Sequence, residues 1–160
     1  SGWATLVDDS GDRVKSQEKV IEVATLDSLS LDPPSVMKID VDRSEAKVLR
    51  GATALLARHR PLIVFESLRA FKEPGLTLEP FRILHEAGYV FFRPAWLWQD
   101  GSSRFLLGWD GNVEAFPTDV LALVPLNPEE RFLHPDVLNL FACHRESLPQ
   151  IESLFNERLD

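Results

Sequence analysis

The sequence predicts an α/β domain organised around a strand, a helix and a second strand that follow one another within about 30 residues. Val36 to Val41 has the apolar, β-branched content of a strand. From Ser44 to His59 the residues Val48, Leu49, Ala52, Leu55 and Leu56 fall at i, i+1, i+4, i+7 and i+8, one apolar stripe along a helix. Leu62 to Phe65 is an unbroken apolar run, which predicts a strand buried on both faces, as in parallel sheets covered by helices on each side. Together they make a βαβ unit with the usual right-handed crossover. The 160 residues, 44% of them apolar, suit one domain over residues 1–160.

Ahead of that unit, residues 1–20 read as a polar leading arm, with a turn at Asp8-Asp9-Ser10-Gly11-Asp12 and Trp3, Leu6, Val7 and Val14 as apolar anchors. Val20 to Thr25 is β-rich, Leu26 to Leu29 leads onward, and Pro33-Pro34 stops regular structure. Inside the unit, Ser44 is a candidate N-cap and Glu45 suits the positive end of the helix dipole. Arg58, His59 and Arg60 suit its negative end, and Pro61 keeps the helix from continuing. After Pro74-Gly75 a helix is expected from Thr77, with Glu79 and Pro80 in its first turn, Phe81 and Leu84 turned inward and Gly88 as its left-handed stop. Tyr89 to Arg93 follows as a strand. The turn-rich stretches Gln99 to Ser103 and Trp109 to Asn112 predict a hairpin or loop carrying Trp96, Trp98 and Trp109, either as core or as an acceptor pocket. Asp119 to Val124 reads as another buried strand, Asn127 to Glu130 opens a short helix, and Pro135 opens a second. Leu148, Ile151, Leu154, Phe155 and Leu159 mark a terminal amphipathic helix.

Charge and composition exclude several functions. The 17 Lys and Arg against 25 Asp and Glu leave a net charge of −8, a field that repels nucleic-acid phosphates and anionic lipid. Nucleic acid and membranes are therefore not expected partners. Cys143 is the single cysteine and cannot close an intramolecular disulfide, and no apolar stretch reaches the roughly 20 residues needed to span a bilayer. No basic-then-apolar leader is evident, and a reducing cytoplasm is the expected setting.

Chemistry concentrates at the carboxyl ends of the two strands. Side chains alternate along a strand, so Met37, Ile39 and Val41 are expected on one face and Lys38, Asp40 and Asp42 on the other. Burying such charges unpaired would cost several kcal/mol each, so they must be paired or line a wet cleft. Ligands in open α/β sheets sit outside the carboxyl ends of the strands, where Asp40, Asp42 and Glu66 fall. A blander reading makes the first strand a polar edge of an antiparallel sheet, with Lys38 and Asp40 as a surface ion pair. His59 reads as a helix-end residue, His85 as lying on a helix beside the Leu84 face and His134 as a cap, and Cys143-His144 lacks the further ligands of a zinc site, so no metal is expected.

Four blocks in order resemble the FkbM-type methyltransferases: Val23 to Leu29, Met37 to Glu45, Val48 to Ala52, and Arg60 to Glu66. The resemblance implies a Rossmann-like methyltransferase sheet, mostly parallel, with Val36 to Val41 as its fourth strand and Leu62 to Glu66 as its fifth. Tyr89 to Arg93 and Asp119 to Val124 would form the closing antiparallel pair, and the first strands would be missing. It further implies S-adenosylmethionine as cofactor and transfer of its methyl group to a hydroxyl of a small molecule or glycan. Asp40, Asp42 and Glu66 are then the candidate catalytic carboxylates, and Lys38, Arg43 and Glu45 the candidate substrate-binding residues.

This chain departs from the family in two places. Where the family usually has Lys-Ile-Asp-Val-Glu-Gly, this chain has Lys38-Ile39-Asp40-Val41-Asp42-Arg43. If that glycine takes a positive φ, Arg43 would be strained. The eight glycines contain no Gly-x-Gly pair, so the glycine-rich cofactor loop is absent and no cofactor-binding residue is assigned. The chain thus looks like the carboxyl-terminal half of the domain, and its fourth strand would present an unpaired edge that favours a partner: the missing half, a second copy paired edge to edge, or the arm Trp3 to Val14 folded back over the gap. Two other classes remain open: a metal-dependent glycosyltransferase using Asp40-Val41-Asp42, and a non-catalytic interaction module derived from a methyltransferase.

Overall fold

A computed structural model describes residues 23–97, 103–104 and 121–150. In chain order these form β1 (Val36–Ile39), α1 (Glu45–Arg50), α2 (Thr53–His59), β2 (Leu62–Leu68), α3 (Pro74–Glu86), β3 (Tyr89–Leu97), β4 (Ser103–Arg104), β5 (Leu121–Pro125) and β6 (Val137–His144). Short 3-10 turns lie at Leu26–Ser28, Pro128–Leu133 and Arg145–Ser147. The leading arm, the loop around Trp98 and Trp109, and most of the expected terminal helix lie outside the described residues.

The architecture is α/β and Rossmann-like, as the sequence predicts. The sheet runs in the order β1-β2-β6-β3-β4, with β5 also paired to β3. β1 and β2 are parallel, with Ile39 opposite Phe65, while β6 runs antiparallel between β2 and β3. β1, β2 and β3 therefore point the same way and β4, β5 and β6 the other; among the described strands β1 with β2 is the one parallel pairing and the other four are antiparallel, so the expected mostly parallel sheet is a mixed one. The closing antiparallel pair forms as expected, between β3 and β5.

β6 corrects the expectation of a helix from Pro135. Val137 to His144 is rich in residues that fit a pleated surface, and the neighbouring edges of β2 and β3 supply its hydrogen bonds. The turn that should have opened a helix is instead held by Arg131, which donates to the carbonyls of Pro135 and Asp136.

The predicted single helix from Ser44 to His59 is two helices. Asp27 explains the break: its carboxylate accepts the backbone N–H groups of Ala54 and Leu55 at 2.8 and 2.9 Å, capping α2 separately. The Asp27 N–H donates to the Gly51 carbonyl, and a Cβ at Gly51 would sit 3.3 Å from Thr25, so the segment before β1 wedges at the joint. Val23 to Thr25 forms no strand. Ser44 makes no side-chain cap. α3 starts earlier than expected, with Pro74 in its first turn and Pro80 inside it, and Gly88 takes φ +90° after it.

One face of the sheet carries the core. Ile39, Ile63, Phe65, Phe91, Leu140 and Ala142 pack with Leu49 and Leu56 of the split helix and with Phe81 and Leu84 of α3. Phe81 meets Phe65 and Phe91 edge-on, with ring centres 5.4 and 4.9 Å apart, tying α3 across β2 and β3. Each fully buried leucine here contributes about 2 kcal/mol of transfer free energy. Along β2, residues of this face are buried, whereas Leu62, Val64 and Leu68 on the other are half-buried. The expectation that both faces of this strand are fully buried is thus corrected: among the described residues helices cover one face.

Candidate active site

The parallel register sets the site. With Ile39 opposite Phe65, the next residues along the two strands are Asp40 and Glu66, and Glu66 pairs on its other side with Asn139 of β6. Lys38, Asp40, Glu66 and Asn139 thus share the face opposite the core. The Lys38 ammonium donates to Asp40 Oδ2 at 3.1 Å and to Asn139 Oδ1 at 2.6 Å, bridging β1 to β6 in front of β2. The surface ion pair of the blander reading is therefore present, and β1 is terminal among the described strands, but its pairing is parallel.

β1 is shorter than expected, ending at Ile39, and the chain turns at once. Val41 is 40% exposed and does not continue the buried face. Asp42 and Arg43 take φ of +45° and +69°, so Asp42 lies in a tight turn instead of on the strand. Arg43 stands in the left-handed region, the conformation expected of the glycine it replaces, at a cost of about 1 kcal/mol for a side-chain-bearing residue. Glu45 is 6% exposed; its Oε1 accepts the Val41 N–H at 3.3 Å and closes the turn.

Glu66 is the chemically distinct member. Its carboxyl is raised above the ordinary glutamate range, first by burial, then by the charges of Asp40, Glu45 and Asp42, with Lys38 opposing. A narrow crevice at this tip is lined by Arg43, Glu45, Glu66, Ser67, Leu76 and Thr77, among others. Its enclosed space of about 10 Å³ holds no more than a water molecule.

The structure thus brings Lys38, Asp40, Glu45 and Glu66 together at the strand tips, with Asp42 and Arg43 in the turn above them. Sequence reasoning missed Asn139, which was assigned to no strand, and Ser67 and Thr77, which hold the end of β2. Thr77 Oγ1 donates to the Leu68 carbonyl at 2.8 Å and accepts the Ala70 N–H at 2.9 Å. Of the histidines, His59 ends α2, His85 Nε2 lies 3.2 Å from Arg145, and His134 ends the 3-10 turn before β6. Among the described residues no group of three or more His, Cys, Asp or Glu is placed to hold a metal ion. None of their helices is long and apolar enough to cross a membrane.

A parallel strand pair ending in carboxylates, backed by helices on one face, places the chain among Rossmann-like α/β proteins with a site at the strand tips. Residues 4–91 match the family model of the methyltransferase FkbM domain, more than half of the chain, and the chain belongs to that family. No curated protein and no solved structure matches it.

Proposed function

We propose that this chain forms the acceptor side of an S-adenosylmethionine-dependent O-methyltransferase acting on a hydroxyl of a small molecule or glycan. Family membership supports methyl transfer. The observation that carries the acceptor role is the raised carboxyl of Glu66 at the tip of β2, beside Asp40. A carboxylate that holds its proton more tightly than usual is a better general base near neutral pH.

S-adenosylmethionine is the methyl donor that the family implies, and the described residues do not form a cradle for it. Gly51 packs against Thr25, Gly75 stands in open space in the first turn of α3, and Gly88 abuts His144; none provides a glycine-rich loop at the strand tips. What this chain's own residues do concerns the acceptor. Glu66 takes the hydroxyl proton, Asp40 raises the basicity of Glu66 and holds Lys38, and Arg43 and Glu45 wall the crevice.

The test is transfer of labelled methyl from S-adenosylmethionine to a panel of sugar, polyketide and lipid-linked glycan hydroxyls by this chain assembled with the cofactor-binding half of an FkbM-type domain, the chain alone being expected to bind little or none of the donor. Label is expected on acceptor oxygen, with Glu66→Gln lowering turnover about 100-fold or more. Unchanged turnover in a folded Glu66→Gln variant overturns the base assignment. Calorimetric Mn²⁺ binding that is lost in Asp40→Asn, without any methyl transfer, would instead favour the Asp-x-Asp glycosyltransferase reading.

A further inference from the structure

Arg131 is fully buried, yet its guanidinium donates to no carboxylate. Nε reaches Ser67 Oγ at 2.9 Å, Nη2 reaches the Ser67 carbonyl at 2.5 Å and the Asp136 carbonyl at 3.0 Å, and Nη1 reaches the Pro135 carbonyl at 2.8 Å. The nearby Asp136 carboxylate is taken by Arg69. Burial and the adjacent Arg69 lower the Arg131 pKa to about 10, so the group still carries its charge at neutral pH. A buried cation satisfied only by carbonyls and one hydroxyl is a weak device for stability, since apolar residues of similar volume often serve as well. Its placement calls for another reason.

Every acceptor it holds belongs to the two segments that frame Glu66. Ser67 follows Glu66 in β2, and Pro135-Asp136 leads into β6, whose Asn139 pairs with Glu66. β1 has ended at Ile39, so beyond that point β2 is paired, among the described residues, only to β6. Ser67 faces the core while Glu66 faces the site. Gripping the Ser67 hydroxyl and carbonyl together therefore blocks rotation of this stretch about the strand axis, and rotation is the motion that would carry Glu66 out of the carboxylate cluster. The planar fork of arginine suits this, whereas a lysine ammonium reaches fewer of the four acceptors at once.

We propose that Arg131 is a positioning residue that, through Ser67, fixes the Glu66 carboxylate at the strand tip. As a statement about catalysis this rests on the acceptor-side reading above; as a statement about geometry it does not, and the experiment separates the two. The Glu66 side-chain carboxyl is titrated by carbon-detected NMR in the full chain and in Arg131→Met, Arg131→Lys, Ser67→Ala and Leu56→Ala.

The Glu66 midpoint is expected to fall toward the ordinary glutamate value in Arg131→Met and part of the way in Arg131→Lys and Ser67→Ala. It should stay in place in Leu56→Ala, which loosens the core without touching the clamp. A Glu66 midpoint unchanged in Arg131→Lys and Ser67→Ala, or moved equally by Leu56→Ala, overturns the proposal, and both comparisons remain decisive if Arg131→Met fails to fold. Methyl transfer plays no part in this readout, so an inactive chain leaves the clamp testable and a failed clamp leaves the transferase reading standing.

Discussion

Two turns at opposite ends of the βαβ unit contain arginines with positive φ, for different reasons. Arg60, at φ +50°, follows α2, and its N–H donates to the Leu56 carbonyl, so it ends a helix in the left-handed conformation that helix ends commonly adopt. Asp42 and Arg43 take two positive φ angles in succession where β1 stops, in the turn that Glu45 closes from below. A local backbone cost at the first turn terminates a helix; at the second it lifts Asp42 and Arg43 over the strand tips. The same dihedral thus marks a helix end on one side and the candidate site on the other, and only the neighbours tell them apart.

The largest expected difference between the ends lies in turnover. Asp40→Asn beside the second turn should lower methyl transfer severalfold, by returning Glu66 part of the way toward ordinary basicity while its burial remains. Arg60→Ala at the first turn should leave the rate unchanged, because its exposed partner Glu146 belongs to the opposite end of the sheet. Equal losses from both would erase the distinction between a site turn and a fold turn.

Stability should show the smaller contrast. Arg43→Gly relieves a left-handed residue with no compensating side-chain bond among the described residues and should stabilise the chain by about 1 kcal/mol in chemical denaturation. Arg60→Gly relieves the same strain but gives up the ion pair to Glu146, so a gain of only about 0.5 kcal/mol is expected. A destabilised Arg43→Gly would mean that the guanidinium, and not the backbone, shapes the turn.

The parts of the fold legible in the sequence are those fixed by near neighbours. The stripe from Val48 to Leu56, the apolar run from Leu62 and Gly88 as a stop are short-range patterns, and they locate the βαβ unit and the carboxylates at its tips. What was not legible depends on distant partners. β6 takes its pairing from β2 and β3, both far upstream, while the local signal at Pro135 points to a helix. The break at Gly51 comes from Thr25 and Asp27, more than 20 residues earlier, which interrupt an otherwise continuous apolar stripe. Nothing near Arg131 in the sequence marks it as buried, because the acceptors at Ser67 that make burial tolerable lie across the sheet. The positive φ of Arg43 was foreseeable only through the glycine that the family places there.

The central claim is that parallel pairing of β1 and β2 forces Asp40 and Glu66 into one electrostatic unit. Titrating the Glu66 carboxyl by NMR in the chain and in Asp40→Asn tests it most directly. A midpoint above the ordinary glutamate value is expected, dropping when Asp40 loses its charge, because Asp40 follows burial as a cause of the rise. An ordinary midpoint, or a raised one indifferent to Asp40→Asn, would contradict it.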